Sequence, residues 1–145
     1  MKQAYFSKTN LVPDQQVSVC FEFTQAFLTE MYGETEIKQY VSGKYDPSMV
    51  ENAEVIVCTS TLFRDKTEEG LGTYAYFGKG TFGEINNDKK KFYVHVNEKD
   101  NLVQFYNVDF VEEFNKKDWK NRFGKAILGN VVKSYPFSVD DSKQD

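Results

Sequence analysis

Short β-branched and aromatic runs, separated by turn-forming residues, recur through the middle of this 145-residue chain. The candidate strands are residues 55–59, 72–77, 81–85, 91–96 and 101–106. Such runs, with Gly, Asn and Asp between them, are typical of antiparallel strands. The pattern predicts an α+β fold: a twisted, mainly antiparallel β-sheet or partial barrel, with a meander over about 54–106. Spacing by itself does not choose between a barrel and an open sheet.

The flanking regions predict two or three short helices packed on this sheet. Residues 17–23 alternate between apolar and polar side chains and predict a strand, whereas residues 24–33 predict a helix that Thr24 caps and Gly33 ends. Asp46-Pro47 is a second helix start. Apolar residues at helical spacing predict further helices near 108–114 and 119–123, and short strands are expected at 37–41 and 131–137.

Length and charge limit the classes of protein that this chain can belong to. Its length fits one globular domain, predicted over 1–137 and followed by a flexible acidic tail at 138–145. The net charge of −4 opposes a general polyanion-binding surface, and only Arg64 and Arg122 offer bidentate forks. No signal peptide or membrane-length apolar run is present, so a cytoplasmic protein without membrane contact is expected.

One glycine-rich segment has the spacing of a phosphate-binding loop. Residues 78–85 spell G-x-G-x-x-G-x-I, which is the pattern of the loop that covers the phosphates in protein kinases. The other kinase motifs do not follow it, and Asn86-Asn87-Asp88 is a turn signal rather than the helix that a dinucleotide loop opens. We therefore interpret the segment as a glycine-rich bend between two strands.

The sequence contains few candidate catalytic residues. His95 is the one histidine, and a Cys58/His95 nucleophile pair has no identifiable third group to orient it. Cys20 and Cys58 both lie in apolar runs, which predicts reduced, structural thiols. No metal-binding spacing is present, so we predict no catalytic residue, cofactor or metal ligand, while an enzyme remains an open alternative.

One group of residues predicts a binding surface. If Phe92, Val94 and Val96 face the core, Tyr93 and His95 face outward, and neighbouring tyrosines and lysines could join them in an aromatic, basic platform for single-stranded nucleic acid. The competing interpretation is that helices cover this face and that the lysine run is a solvated turn. The candidate binding residues are Tyr74, Tyr76, Lys79, Lys89, Lys90, Lys91, Tyr93 and His95.

The leading functional hypothesis is a noncatalytic protein that docks onto another protein. It rests on the missing catalytic motifs and on an aromatic content of 16%, since Tyr and Phe favour interfaces. The Lys- and Asn-rich composition suggests a phage or mobile-element source, and hence an inhibitor or modulator of a host protein. The alternatives are a small nucleic-acid-binding β-barrel that uses the aromatic and lysine face, and an unrecognised enzyme. The sequence leaves homo-oligomerisation undecided.

Overall fold

The fold is an eight-stranded mixed β-sheet with three helices, seen in a computed structural model that describes residues 1–8, 14–39, 46–60, 63–66, 72–114 and 123–137. The strands are β1 (Lys2–Lys8), β2 (Thr35–Gln39), β3 (Val55–Thr59), β4 (Phe63–Lys66), β5 (Gly72–Phe77), β6 (Lys90–Asn97), β7 (Leu102–Phe114) and β8 (Phe123–Pro136). The helices are α1 (Asp14–Tyr32), α2 (Pro47–Glu51) and α3 (Lys79–Ile85). The predicted α+β class is therefore confirmed.

The strand order is β2-β1-β3-β6-β7-β8-β5-β4. The first four strands are parallel to one another, and β6, β7, β8, β5 and β4 form the antiparallel part. The predicted mainly antiparallel character is thus right, but a continuous meander over 54–106 is wrong, because β3 pairs with β6 in parallel and the β4–β5 hairpin lies at the far edge. Pairing partners so distant in sequence leave no local signal.

The sheet curls so that its far end returns toward β3. Ser60, which follows β3, donates from its hydroxyl to the Tyr76 carbonyl of β5 at 2.7 Å, although three strands separate β3 from β5 in the sheet order. Ala75 and Phe77 of β5 pack in one core with Ile56 and Cys58 of β3. The concave face therefore encloses a core of its own.

The central strands are buried on both faces. One core lies under α1 and contains Phe6, Val57, Phe92 and Phe105; the ring of Phe105 stacks on that of Phe27 from α1 with 4.2 Å between centroids. The other core lies on the concave face, against α2 and α3. Every residue of β3 is buried, as expected for a parallel strand covered on both sides. Residues 2–8, for which no strand was predicted, form β1 in the middle of this parallel part.

A single helix replaces the strand that was predicted at 17–23. The buried residues of α1 are Val17, Cys20, Thr24, Phe27 and Leu28, and their spacing is helical. Thr24 is not a cap, because it lies inside the helix and its hydroxyl donates to the Cys20 carbonyl at 2.6 Å. The predicted end is confirmed, since Gly33 adopts φ +78° and its N–H donates to the Thr29 carbonyl.

The predicted helix at 108–114 is also wrong, since these residues belong to β7. Register shifts between Phe105 and Phe110 mark β-bulges, and each bulge interrupts the inward and outward alternation. Val108 and Val111 therefore both pack against the concave core while Phe110 points outward, which imitates helical spacing. Asp46 does cap α2 ahead of Pro47, as predicted. The helix expected at 119–123 falls mainly, and the tail at 138–145 wholly, outside the described residues.

Candidate functional site

The predicted aromatic platform does not form, because Tyr93 is fully buried. Its ring lies in the concave core, and its hydroxyl donates to the Ser60 carbonyl at 2.5 Å. His95 follows on the same face and is only partly exposed, with its ring centroid 6.3 Å from that of Tyr93. The interpretation that a second layer covers this face of β6 is therefore the right one.

Tyr74 and Tyr76 lie elsewhere in the fold. They belong to β5, which pairs with β4 and β8 and not with β6. Their neighbours Ala75 and Phe77 point into the concave core, so both tyrosines point to the opposite, convex face, where their ring centroids are 5.2 Å apart. The structure thus separates these two rings from Tyr93 and His95.

The predicted phosphate-binding lysines make contacts within the chain. The Lys89 ammonium donates to the carbonyls of Glu51, at 2.8 Å, and Ala53, at 2.7 Å, which joins it to the end of α2. Lys91 is 6% exposed and donates to the carbonyls of Asn87 and Lys89, and burial lowers its pKa. These two lysines act as bridges to backbone carbonyls in the fold.

Lys90 and Lys79 complete the predicted lysine set. Lys90 donates to the Asn107 side-chain carbonyl at 3.1 Å, and its ammonium lies 4.8 Å from the centroid of the Phe92 ring. Lys79 is the first residue of α3, and its side chain lies outside what the structure describes. Lys89 and Lys91 therefore line a cleft that contains none of the predicted tyrosines.

The glycine-rich segment forms α3, so its interpretation as a bend between strands is wrong. It follows β5 and forms a helix, although the turn signal at 86–88 predicts no helix after the glycines. The helix has seven residues, and its side chains form hydrogen bonds to β1. The Thr81 hydroxyl donates to the Lys8 carbonyl at 2.7 Å, and the Glu84 carboxylate accepts hydrogen bonds from the Tyr5 and Ser7 hydroxyls. Sequence reasoning missed Glu84, because its partners are more than 70 residues away.

Cys58 and His95, the candidate nucleophile pair, are both held in neutral forms. Burial lowers the pKa of His95 to about 4 and raises that of Cys58 to about 12. The Cys58 thiol lies within hydrogen-bond distance of the Phe92 carbonyl, at 3.5 Å. A thiolate nucleophile is therefore not favoured at this position. Among the described residues, no group of three His, Cys, Asp or Glu side chains is placed to hold a metal ion.

A cleft beside the bulged part of β7 is the strongest candidate for a binding site. It has a volume of about 270 Å³ and is lined by residues 87–89 and 91 on one side and 108–111 on the other. Phe110 is 54% exposed, although it is a large apolar side chain in the middle of a strand. Asp88 and Asp109 are also exposed, whereas the Lys89 and Lys91 ammonium groups donate to carbonyls. We call this the Phe110 cleft.

The sequence did not reveal this cleft because it does not show the β-bulges in β7. Phe110 was expected to lie on the inner face of a helix, and only the register shift in β7 turns it outward. Bulges are frequent where a strand redirects a side chain next to a functional site.

No protein-family model matches this chain, and no curated protein or solved structure is detectably similar to it. None of the helices in the described part of the chain has both the length and the apolar character needed to cross a membrane.

Proposed function

We propose that this protein is a noncatalytic docking module that binds another protein through the Phe110 cleft. The observation that carries the proposal is the 54% exposure of Phe110 at the edge of a 270 Å³ cleft. Burying such a ring in a partner removes a large apolar surface from water, and aromatic side chains of this kind are frequent interface hot spots. Cys58 and His95, both neutral at physiological pH, support a role that does not depend on them as catalytic groups.

The charges around the cleft indicate the chemistry of the partner. Asp88 and Asp109 are its exposed acidic side chains, whereas the ammonium groups of Lys89 and Lys91 are directed to backbone carbonyls. The net charge of the chain, −4, has the same sign. The partner surface that fits is an apolar side chain flanked by Lys or Arg, because it would fill the cleft and meet both carboxylates. Inhibition or modulation of a host protein is the specific form of this proposal.

The test compares the protein partners that tagged variants capture from a lysate of the source cells after nuclease treatment. Phe110→Ser removes the exposed ring, and Asp109→Asn removes one rim charge. We expect Phe110→Ser to lower the recovery of a stoichiometric partner roughly 10-fold or more, and Asp109→Asn to weaken it most at low salt.

The matched control is Met31→Ser, because Met31 is an exposed apolar residue of α1 (43%) that does not line the cleft. Circular dichroism of each variant checks that it is folded. The proposal fails if the same partners remain with Phe110→Ser, or if Met31→Ser and Phe110→Ser lose them equally. Partners that disappear after nuclease treatment would instead favour the nucleic-acid alternative.

A further inference from the structure

Strand β2 forms one edge of the sheet. It pairs with β1 on one side, and no described strand lies on the other. The N–H and C=O groups along an edge strand are available to another strand, and proteins usually protect such edges with charged side chains. β2 carries two such charges, Glu36 and Lys38.

The charges of β2 are arranged so that two copies of the strand, paired antiparallel, place opposite charges next to each other. Glu36 and Lys38 flank Ile37 and lie on one face, where they form an exposed ion pair with 3.8 Å between charged atoms. Ile37 points to the other face and packs, partly buried, against the core beneath α1. Thr35 and Gln39 begin and end the strand. An antiparallel copy centred on Ile37 therefore brings each charge opposite one of the other sign.

We propose that β2 pairs antiparallel with β2 of a second copy of this chain, about a two-fold axis at Ile37. In this register Glu36 lies opposite Lys38, Thr35 lies opposite Gln39, and the two Ile37 side chains are neighbours. The two sheets continue into one, and the two cores under α1 meet at the paired isoleucines. The interface is isologous, as is usual for two-fold homodimers.

The charges of Glu36 and Lys38 favour the pairing centred on Ile37 over shifted pairings of the same two strands. Sliding one strand by two residues brings Lys38 opposite Lys38, or Glu36 opposite Glu36, and like charges directly opposite destabilise a strand pair. Sliding by one residue moves Ile37 opposite a charge and off its apolar face. The two charges thus oppose shifted pairings and favour a second copy in one orientation.

The interface is small, so association depends on concentration. Two five-residue strands bury less surface than a standard interface, and we expect a weak dimer with a dissociation constant of about 1 μM or weaker. This pairing involves none of the residues that line the Phe110 cleft, so either site can be lost while the other is kept.

The test measures the mass of the full-length protein by sedimentation velocity across a concentration series. We expect a monomer–dimer equilibrium that Lys38→Glu and Glu36→Lys each weaken about 10-fold or more, since each variant places like charges opposite one another. An equimolar mixture of the two variants restores the dimer, because every facing pair is again of opposite sign. Misfolding would not be rescued by mixing. Lys99→Glu, in the exposed turn after β6, is the control for net charge.

Disulfide trapping tests the register. Ile37→Cys places two thiols next to each other at the axis, whereas burial raises the pKa of Cys20 to about 11 and of Cys58 to about 12, so the native thiols do not compete. With a small-molecule disulfide added as the two-electron oxidant, we expect Ile37→Cys to form a covalent dimer and Met31→Cys to form none. A monomer at all concentrations, or a dimer that neither charge variant weakens, would overturn the proposal.

Discussion

Gly124→Ala should destabilise this protein strongly, because an aromatic ring occupies the space where a side chain would be. Gly124 lies in β8 opposite Phe77, and the ring of Phe82 from α3 covers it. A Cβ at this position would be 1.8 Å from the Phe82 Cδ2 atom, and ordinary contacts begin near 3.4 Å. The ring must therefore move by at least about 1.6 Å, in a site where Phe82 is 7% exposed.

The magnitude follows from the cost of overpacking a core. Inserting a methyl group into a packed site costs about 1–3 kcal/mol, and a displacement of this size points to the upper half of that range. A loss of about 2–3 kcal/mol in the free energy of unfolding corresponds to a decrease of roughly 6–12 °C in Tm for a chain of this length. Urea unfolding followed by circular dichroism measures the loss directly.

The same substitution in α3 provides the control. Gly83 has no atom within 4 Å of the Cβ position, so Gly83→Ala should stabilise the helix by about 0.5–1 kcal/mol. Replacing the Phe82 ring with the smaller leucine side chain should relieve the clash. The double variant Gly124→Ala/Phe82→Leu should therefore lose less free energy of unfolding than the sum of the two single losses. A Gly124→Ala protein within about 0.5 kcal/mol of wild type would refute the reasoning.

Three further outcomes follow from the buried polar groups. Tyr93→Phe should lower the free energy of unfolding by about 1–3 kcal/mol, because it removes the hydrogen bond to the buried Ser60 carbonyl; urea unfolding measures this. In the folded protein the pKa of His95 is about 4, against an ordinary value of 6.5, so the unfolded state binds the proton at a higher pH than the folded state does. The free energy of unfolding should therefore fall as the pH drops from about 6.5 to 4. Unfolding curves of wild type and His95→Gln, recorded at neutral pH and at about pH 5, isolate the contribution of His95 to this loss. Cys20 and Cys58 should resist thiol reagents in the native protein and react once it is unfolded, which a colorimetric thiol titration with and without denaturant checks.

The sequence predicted those elements whose signals are local. The α2 start at Asp46-Pro47 and the α1 end at Gly33 were found because a cap and a glycine act on the next few residues. The strands near 55–59, 72–77 and 91–96 were found because β-branched and aromatic runs are bounded by turns. These local rules also established the α+β class.

The sequence did not predict which side chains the fold covers and which it leaves exposed. The alternation of β6 predicts that Tyr93 lies on a solvent-exposed face of the sheet. In the structure, α3 and the curled-back β5 cover that face as well. Lys89 and Lys91 were read as solvent-exposed charges, but their partners are carbonyls that only folding brings near. Phe110 was assigned to a helix because a bulge in β7 copies helical spacing.

The amino-acid sequence by itself determined which segments are strands or helices wherever capping, turn chemistry and apolar periodicity act within a few residues. Only the tertiary structure decided which strands pair, which faces are covered and which apolar side chains remain in water. The physical reason is that strand pairing, sheet curling and bulges join residues far apart in the chain, and their free energy depends on contacts that no local pattern records.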